Sequence, residues 1–272
     1  MYKMSFIGTG NMAGALVAAA AAGGYGADCL LTNRTPEKAR ALAAQHGCAV
    51  AETNAEAARN GRFVFLGVKP QMMAGMLAGI APVLADRQAA GDRFVLVSMA
   101  AGLSIARLKE MAGGDYPVVR IMPNTACAVG QGMTLVTPDA LATREETDEL
   151  CRMLAAAGRF DAIDESLMDA GSVIAGCTGA WVDMLLDALA DGAVETGLPR
   201  AKARQYAAQA VLGAAALALE SGKHPGQLKD EVCSPAGSTV AGVHALERAG
   251  LRGAAMDAVT AAFARTREMG KS

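Results

Sequence analysis

The sequence lacks the features that mark disulfide-stabilised, zinc-binding and nucleic-acid-binding proteins. Its six cysteines are widely separated with no C-x-x-C pair, and its three histidines do not cluster with them. This distribution argues against a disulfide framework and against any metal site. The net charge is only −2 and the basic residues are scattered, so neither nucleic acid nor an anionic membrane surface is an expected partner.

No long uninterrupted apolar run is expected, although 52% of the 272 residues are apolar. The apolar runs are rich in alanine and broken by glycine, so no segment is expected to span a membrane. An apolar excess without membrane spans predicts surface buried between subunits, and therefore an oligomer. Residues 1–7 carry one basic residue and too short an apolar core for a signal peptide, which favours a cytoplasmic location.

Two regions differ in their hydrophobic pattern. Up to residue 162, helical stretches alternate with six short β-rich runs that predict strands, at residues 3–7, 29–32, 62–68, 94–98, 117–122 and 133–136. This alternation is typical of an α/β domain with a mostly parallel sheet. From Leu167 onward the periodicity is helical, with a break expected at Gly176–Gly179. We therefore predict an α/β domain at residues 1–162 and an all-helical domain at residues 163–272, with ligand bound in a cleft between them.

A glycine-rich turn follows the first predicted strand and precedes a helix. It reads Gly8-Thr9-Gly10-Asn11-Met12-Ala13. Glycines at such a strand-to-helix turn let the backbone approach a pyrophosphate, while the helix offers its positive end. Gly8, Gly10, Asn11 and Met12 are thus predicted cofactor-binding residues of a Rossmann domain; an ordinary glycine turn is the alternative.

The end of the second predicted strand indicates which nicotinamide cofactor is used. NAD-selective enzymes usually carry an acidic residue there, whereas this chain has Asn33 and Arg34. A guanidinium suits the adenosine 2′-phosphate, so NADPH is the predicted cofactor, and NADH is left open as a second one. The alternative for Arg34 is a solvated loop arginine.

Two later strands end in residues placed to line the cofactor. In parallel sheets, ligands bind beyond the carboxyl ends of the strands. Val68, Lys69 and Pro70 follow one such strand, and Met99 and Ala100 follow the next. These five residues are predicted to border the ribose and nicotinamide side, although Pro70 also ends its strand for structural reasons.

A Ser/Pro/Gly/Thr break at residues 230–239 opens directly into a helix. The first amides of a helix lack intrahelical partners, so a small carboxylate can bind there on main-chain donors and the helix dipole. Ser234, Ser238 and Thr239 add hydroxyls, and Gly237 allows close approach. Simple N-capping by these side chains is the alternative.

Together these segments closely resemble the pyrroline-5-carboxylate reductase family over nearly the whole chain. The motifs that carry the resemblance are the glycine turn, Asn33-Arg34-Thr35, Thr53-Asn54, Val68-Lys69-Pro70-Gln71, residues 120–125 and, above all, residues 232–247. The resemblance implies a Rossmann domain followed by an all-helical dimerisation domain. It also implies a homodimer, with dimers assembling further into a ring such as a decamer.

The same resemblance implies roles for individual residues. Asn54 would touch the cofactor, and Thr239 would act near the ring nitrogen of pyrroline-5-carboxylate. The substrate carboxylate would be held by the loop whose members are Val232, Ser234, Ala236, Gly237, Ser238 and Thr239. Ala126 and Ala236 replace residues common in the family, proline and glycine, and Ala236 predicts a backbone angle that alanine tolerates.

The chemistry expected of this loop is imine reduction rather than carbonyl reduction. Carbonyl reduction usually needs a proton donor, whereas a cyclic iminium accepts hydride directly, and the loop has hydroxyls and amides but no strong acid. A β-hydroxyacid dehydrogenase is disfavoured because no lysine lies between Lys109 and Lys202. A non-catalytic nucleotide-binding protein stays open until an assay is made.

Overall fold

The fold begins with one large sheet and ends in helices. The structure, a computed structural model, describes residues 1–269, which form eight strands and twelve α-helices. The strands are β1 (Tyr2–Ile7), β2 (Cys29–Thr32), β3 (Ala49–Val50), β4 (Gly61–Leu66), β5 (Val95–Ser98), β6 (Val118–Met122), β7 (Gly132–Pro138) and β8 (Gly158–Ala162). The helices are α1 (Asn11–Ala22), α2 (Pro36–His46), α3 (Asn54–Asn60), α4 (Pro70–Ala89), α5 (Ile105–Ala112), α6 (Arg144–Met153), α7 (Glu165–Ser172), α8 (Thr178–Glu195), α9 (Arg200–Ser221), α10 (Pro225–Glu231), α11 (Ser238–Arg248) and α12 (Leu251–Met269).

The sheet has the strand order β3-β2-β1-β4-β5-β6-β7-β8, and every neighbouring pair is parallel except β6 and β7. Its centre is apolar on both faces, because helices cover both sides of a parallel sheet. Phe6 of β1 stacks on Phe65 of β4 with ring centroids 4.2 Å apart. The strand order reverses beside β1, and this is where the crevice of a doubly wound sheet lies.

Two strands are missing from the sequence prediction. β3 has only two residues, too few to show a period. β8 is largely exposed and includes Arg159 and Asp161, so it lacks the apolar pattern of a buried strand. β8 forms because it pairs with β7 over five residues, and such pairing does not depend on local composition.

The predicted fold class is confirmed: a mostly parallel α/β sheet is followed by helices, and no strand occurs between residues 163 and 269. Two compact units can be distinguished. One contains residues 1–177 and the end of α12 from Phe263, and the other contains Thr178–Ala262. The boundary at residues 162/163 itself stays a prediction.

One continuous helical stretch differs from expectation. A π-helical turn, Val173–Cys177, joins α7 to α8 without a break, so the predicted interruption at Gly176–Gly179 is wrong. By length and composition alone, the resulting stretch Glu165–Glu195 could span a membrane; its most apolar window has a mean hydropathy of 1.5 and is 11% buried. The expectation that no apolar segment is long enough for a bilayer is therefore wrong, while the expectation that no segment spans a membrane stays a prediction. A helix that packs against another subunit can have the same length and composition.

Candidate functional site

A cleft of about 650 Å³ lies at the carboxyl ends of β1, β2 and β4. It is lined by Ile7, Gly8, Gly10, Asn33, Arg34, Asn54, Gly67, Val68, Lys69, Gln71, Met72, Gly75 and Met76. Among these described residues, two are cationic, Arg34 and Lys69, and none is acidic. The cleft is therefore suited to a ligand with several anionic groups.

The first two glycines of the turn serve different purposes. Gly8 has a φ of +96°, and a Cβ placed there would lie 2.6 Å from the carbonyl oxygen of Gly67. Gly8 is thus required by the close approach of two backbone segments. Gly10, in contrast, has open space within 4 Å of its Cβ position, and it begins α1 with no side-chain cap among the described residues. The first amides of α1 are consequently available to an anion.

Asn33 and Arg34 stand just beyond β2 in different environments. The Asn33 side chain accepts a hydrogen bond from the Thr9 amide (3.4 Å) and donates one to the Thr35 carbonyl (3.1 Å). Asn33 therefore ties the glycine turn to the loop after β2. Arg34 is exposed and lines the cleft, so its guanidinium is available to an anionic group of a ligand bound there.

The structure brings most of the predicted cofactor residues together. Gly8, Gly10, Asn33, Arg34, Asn54, Val68 and Lys69 all line the cleft. The remaining five do not: Asn11 and Met12 lie in the first turn of α1, Pro70 begins α4, Met99 packs on the core, and Ala100 is buried. Contact between these five residues and a cofactor stays a prediction.

Sequence reasoning missed one wall of the cleft, the first turns of α4. Met72, Gly75 and Met76 line it, at the i, i+3, i+4 spacing of one helix face. Met72 is 40% exposed although it is apolar. The signal was present in this spacing, but a methionine at a helical period usually packs in a core.

The predicted carboxylate loop is built on a tight turn, Ser234-Pro235-Ala236-Gly237. The Gly237 amide donates to the Ser234 carbonyl at 3.0 Å, and Ala236 has a φ of +58°. A proline at the second position of a turn and a positive φ at the third position are features of a type II turn. Such a turn normally has glycine at its third position. The expectation of an angle that alanine tolerates is therefore wrong: Ala236 keeps the left-handed conformation despite its Cβ.

α11 starts directly after this turn with its first amides uncapped. Gly237 is the N-cap residue, and no side chain caps the helix within the described part of the chain. Ser238 and Thr239 lie inside the first turn and are exposed, as are Val232, Ser234 and Ala236. The side-chain capping alternative is thus not realised, and this helix start keeps main-chain donors for an anion.

A negative charge at the end of the helix that precedes this loop is paired with a lysine. α10 ends at Glu231, and the Lys223 ammonium lies 2.8 Å from its carboxylate. This pairing lowers the pKa of Glu231. Because Glu231 is ionised but paired, its charge is compensated beside the loop.

The left-handed Ala236 leads to a stability prediction. Replacing Ala236 with glycine is expected to raise the free energy of unfolding by about 0.5–1 kcal/mol, because relief of the left-handed strain exceeds the added chain entropy of glycine. Urea denaturation at one fixed protein concentration measures the change. The matched control is Ala249→Gly, at a φ of −77°, which is expected to lower stability. A destabilising Ala236→Gly would show that the turn is unstrained.

Comparison with known proteins agrees with this geometry. Residues 165–269 match the family model for pyrroline-5-carboxylate reductase dimerisation, and residues 3–102 match the NADP oxidoreductase, coenzyme F420-dependent model. The pyrroline-5-carboxylate reductase of Escherichia coli is 38% identical over 272 residues, with 99% of each chain covered. The pea (Pisum sativum) enzyme of the same name is 38% identical and covers 98% of this chain and 96% of its own.

Solved structures give the same result. The Plasmodium falciparum pyrroline carboxylate reductase with NADP bound has a TM-score of 0.85 at 27% identity, covering 99% of this chain and 98% of its own. The Coxiella burnetii pyrroline-5-carboxylate reductase has a TM-score of 0.89 at 28% identity, covering 100% and 99%. The resemblance inferred from the motifs is confirmed. On this full-length similarity, the chain belongs to the pyrroline-5-carboxylate reductase family.

Proposed function

We propose that the protein reduces 1-pyrroline-5-carboxylate to L-proline, the final step of proline biosynthesis, by hydride transfer from NADPH to the cyclic iminium. The observation that carries the proposal is full-length similarity to enzymes named for this activity. Its geometric support is the pair of uncapped helix starts, one at Gly10 beside a cationic cleft and one at Gly237 in the substrate motif.

The cleft fits the chemistry of a dinucleotide phosphate. Bound NADPH supplies the hydride. In our proposal the first amides of α1 bind the pyrophosphate, and Gly10 allows its close approach. Arg34 pairs with the 2′-phosphate, while Asn54, Val68 and Lys69 border the ribose. NADH, which lacks that phosphate, remains a weaker second cofactor in this proposal.

The substrate is held at the other helix start. The first amides of α11 bind the carboxylate of pyrroline-5-carboxylate, and the Thr239 hydroxyl forms a hydrogen bond at the ring nitrogen. No side chain needs to donate a proton, since the imine enters already protonated. The site therefore works by orienting the C=N carbon toward the hydride donor.

The helical part supports a homodimer. Several large apolar side chains are exposed on α8, α9, α11 and α12: Met184, Leu185, Leu189, Leu212, Leu217, Leu219, Val240, Leu246, Leu251 and Met256. An excess of exposed large apolar side chains is typical of a surface that another protein covers, and these residues lie within the matched dimerisation region. We propose that a second copy covers them. A further ring assembly such as a decamer, and a cytoplasmic location, belong to the same proposal.

The activity can be tested directly. Loss of NADPH absorbance on addition of pyrroline-5-carboxylate, with proline as the product, is the expected result. A 3-hydroxy acid with NADP is the control substrate for a dehydrogenase of similar layout, and it is expected to give no turnover. Binding of NADPH without consumption of any imine would instead favour a non-catalytic nucleotide-binding protein.

Thr239 provides a residue-level test. Thr239→Val is expected to lower kcat about tenfold while NADPH affinity stays nearly unchanged, because one hydroxyl hydrogen bond at the imine nitrogen contributes on the order of 1–2 kcal/mol. The matched control is Thr260→Val on α12, an exposed helical threonine whose hydroxyl bonds its own helix. Wild-type turnover in Thr239→Val would leave Thr239 without a role in catalysis.

A further inference from the structure

A buried arginine lies next to the loop that follows β5. Arg120, in the middle of β6, has a side chain only 5% exposed. Burying a charge this deeply is unfavourable unless the charge is paired. Arg120 Nη1 donates to Glu165 Oε1 at 2.8 Å, whereas Nη2 lies 4.0 Å from Asp169 Oδ1, beyond hydrogen-bond distance. Glu165 is therefore the principal partner of this guanidinium.

The same carboxylate oxygen has a second donor. The backbone amide of Ile105, the first residue of α5, donates to Glu165 Oε1 at 2.7 Å. An amide at this position has no partner within its own helix, and a negative charge there also favours the helix dipole. One oxygen of Glu165 thus joins β6, α5 and α7, although these contacts span 45 and 60 residues of sequence.

These contacts anchor the loop formed by residues 99–104, here called the β5–α5 loop. At its start, the Ala100 amide donates to Ser98 Oγ at 3.3 Å. At its end, Ile105 is held by Glu165. Ser98 and Arg120 are register partners on neighbouring strands. Both ends of the loop are therefore fixed to the β5–β6 pair, the second one through Glu165.

We propose that Glu165 is a positioning residue for the cofactor: held by Arg120, it fixes the β5–α5 loop so that Met99 and Ala100 border the nicotinamide half of NADPH. This rests on the proposed function and on the prediction from sequence that Met99 and Ala100 border the nicotinamide side of the cofactor. Glu165 itself does not touch the reacting atoms. Its charge orients Arg120, and its Oε1 holds the first amide of α5, while the Ser104 hydroxyl caps the same helix by accepting from the Arg107 amide.

The test compares binding of NADPH with binding of 2′,5′-ADP, which has the adenosine half alone. Glu165→Ala is expected to raise the dissociation constant for NADPH about tenfold, since it removes a charge-assisted hydrogen bond that holds the loop. Affinity for 2′,5′-ADP should stay within about twofold, because the cleft at Gly8, Gly10 and Arg34 has no contact with Glu165 among the described residues.

Two further variants distinguish a positioning role of Glu165 from general destabilisation of the protein. Glu165→Gln keeps an oxygen acceptor for the Ile105 amide and should recover most of the NADPH affinity, to within about threefold of wild type. Asp169→Asn, on the same helix with similar exposure, should change it less than about twofold. If Glu165→Ala does not fold because Arg120 is left unpaired, the double variant Arg120→Met with Glu165→Ala replaces it, with the same tenfold loss expected.

Three results would overturn the inference. Unchanged NADPH affinity in a folded Glu165→Ala or double variant removes the positioning role. Equal weakening of NADPH and 2′,5′-ADP shows a general structural role instead. A wild-type protein that binds no NADPH refutes the proposed function, and the inference with it. The first result, obtained with a wild-type protein that binds NADPH, refutes the inference alone.

Discussion

Arg34→Glu is expected to raise the Michaelis constant for NADPH about a hundredfold and that for NADH by less than about threefold. Arg34 is exposed at the edge of the cleft, directly after β2. If Arg34 binds the 2′-phosphate as proposed, its replacement removes charge-assisted hydrogen bonds and introduces repulsion, together about 3 kcal/mol. NADH has a hydroxyl at that position, so it loses little. Steady-state kinetics with each cofactor at saturating pyrroline-5-carboxylate measure the difference.

A charge-matched control variant distinguishes a direct contact of Arg34 with the cofactor from an effect of the protein's net charge. Arg40→Glu makes the same change in net charge at an exposed position on α2, where Arg40 lies near Glu37 rather than in the cleft. It is expected to change both constants less than about twofold, because salt screens charges that are far apart. An Arg34→Glu variant that weakens NADPH and NADH equally would mean that Arg34 does not select between them.

Gly8→Ala is expected to lower the melting temperature by roughly 10 °C and to abolish measurable NADPH binding. Alanine at a φ of +96° is strained, and its Cβ would lie 2.6 Å from the Gly67 carbonyl oxygen. Strain and overpacking together cost about 3 kcal/mol, which corresponds to a shift of this size in a chain of this length. Thermal unfolding and NADPH titration are the two measurements.

Gly10→Ala is the companion variant and should give the opposite combination. Open space surrounds the Cβ position of Gly10, whose φ is −72°, so stability should change by less than about 0.5 kcal/mol. NADPH affinity should nevertheless fall about tenfold or more, because a methyl group would block close approach of the pyrophosphate to α1. Normal NADPH affinity in Gly10→Ala would place the pyrophosphate elsewhere.

Prediction from sequence succeeded where the physical signal is local. The glycine turn at Gly8–Ala13 combines a buried strand, a turn and a helix within a few residues, so its structural role could be inferred without the fold. The position of the α11 start could be inferred in the same way, whereas the absence of a side-chain cap there, within the described residues, came from the structure. Prediction failed at β8, which is held by pairing with β7, and at Ala236, whose turn keeps a left-handed angle that alanine disfavours.

The sequence by itself determined the family, the α/β order followed by helices, and the places where the two glycine-containing turns open into helices, because each depends on neighbouring residues. Only the tertiary structure decided which side chains meet across long separations. It buried Ala100, turned Met72 into the cleft, and brought Arg120, Ile105 and Glu165 to one oxygen atom. Such contacts depend on the packing of the whole sheet and its helices, and no local pattern encodes them.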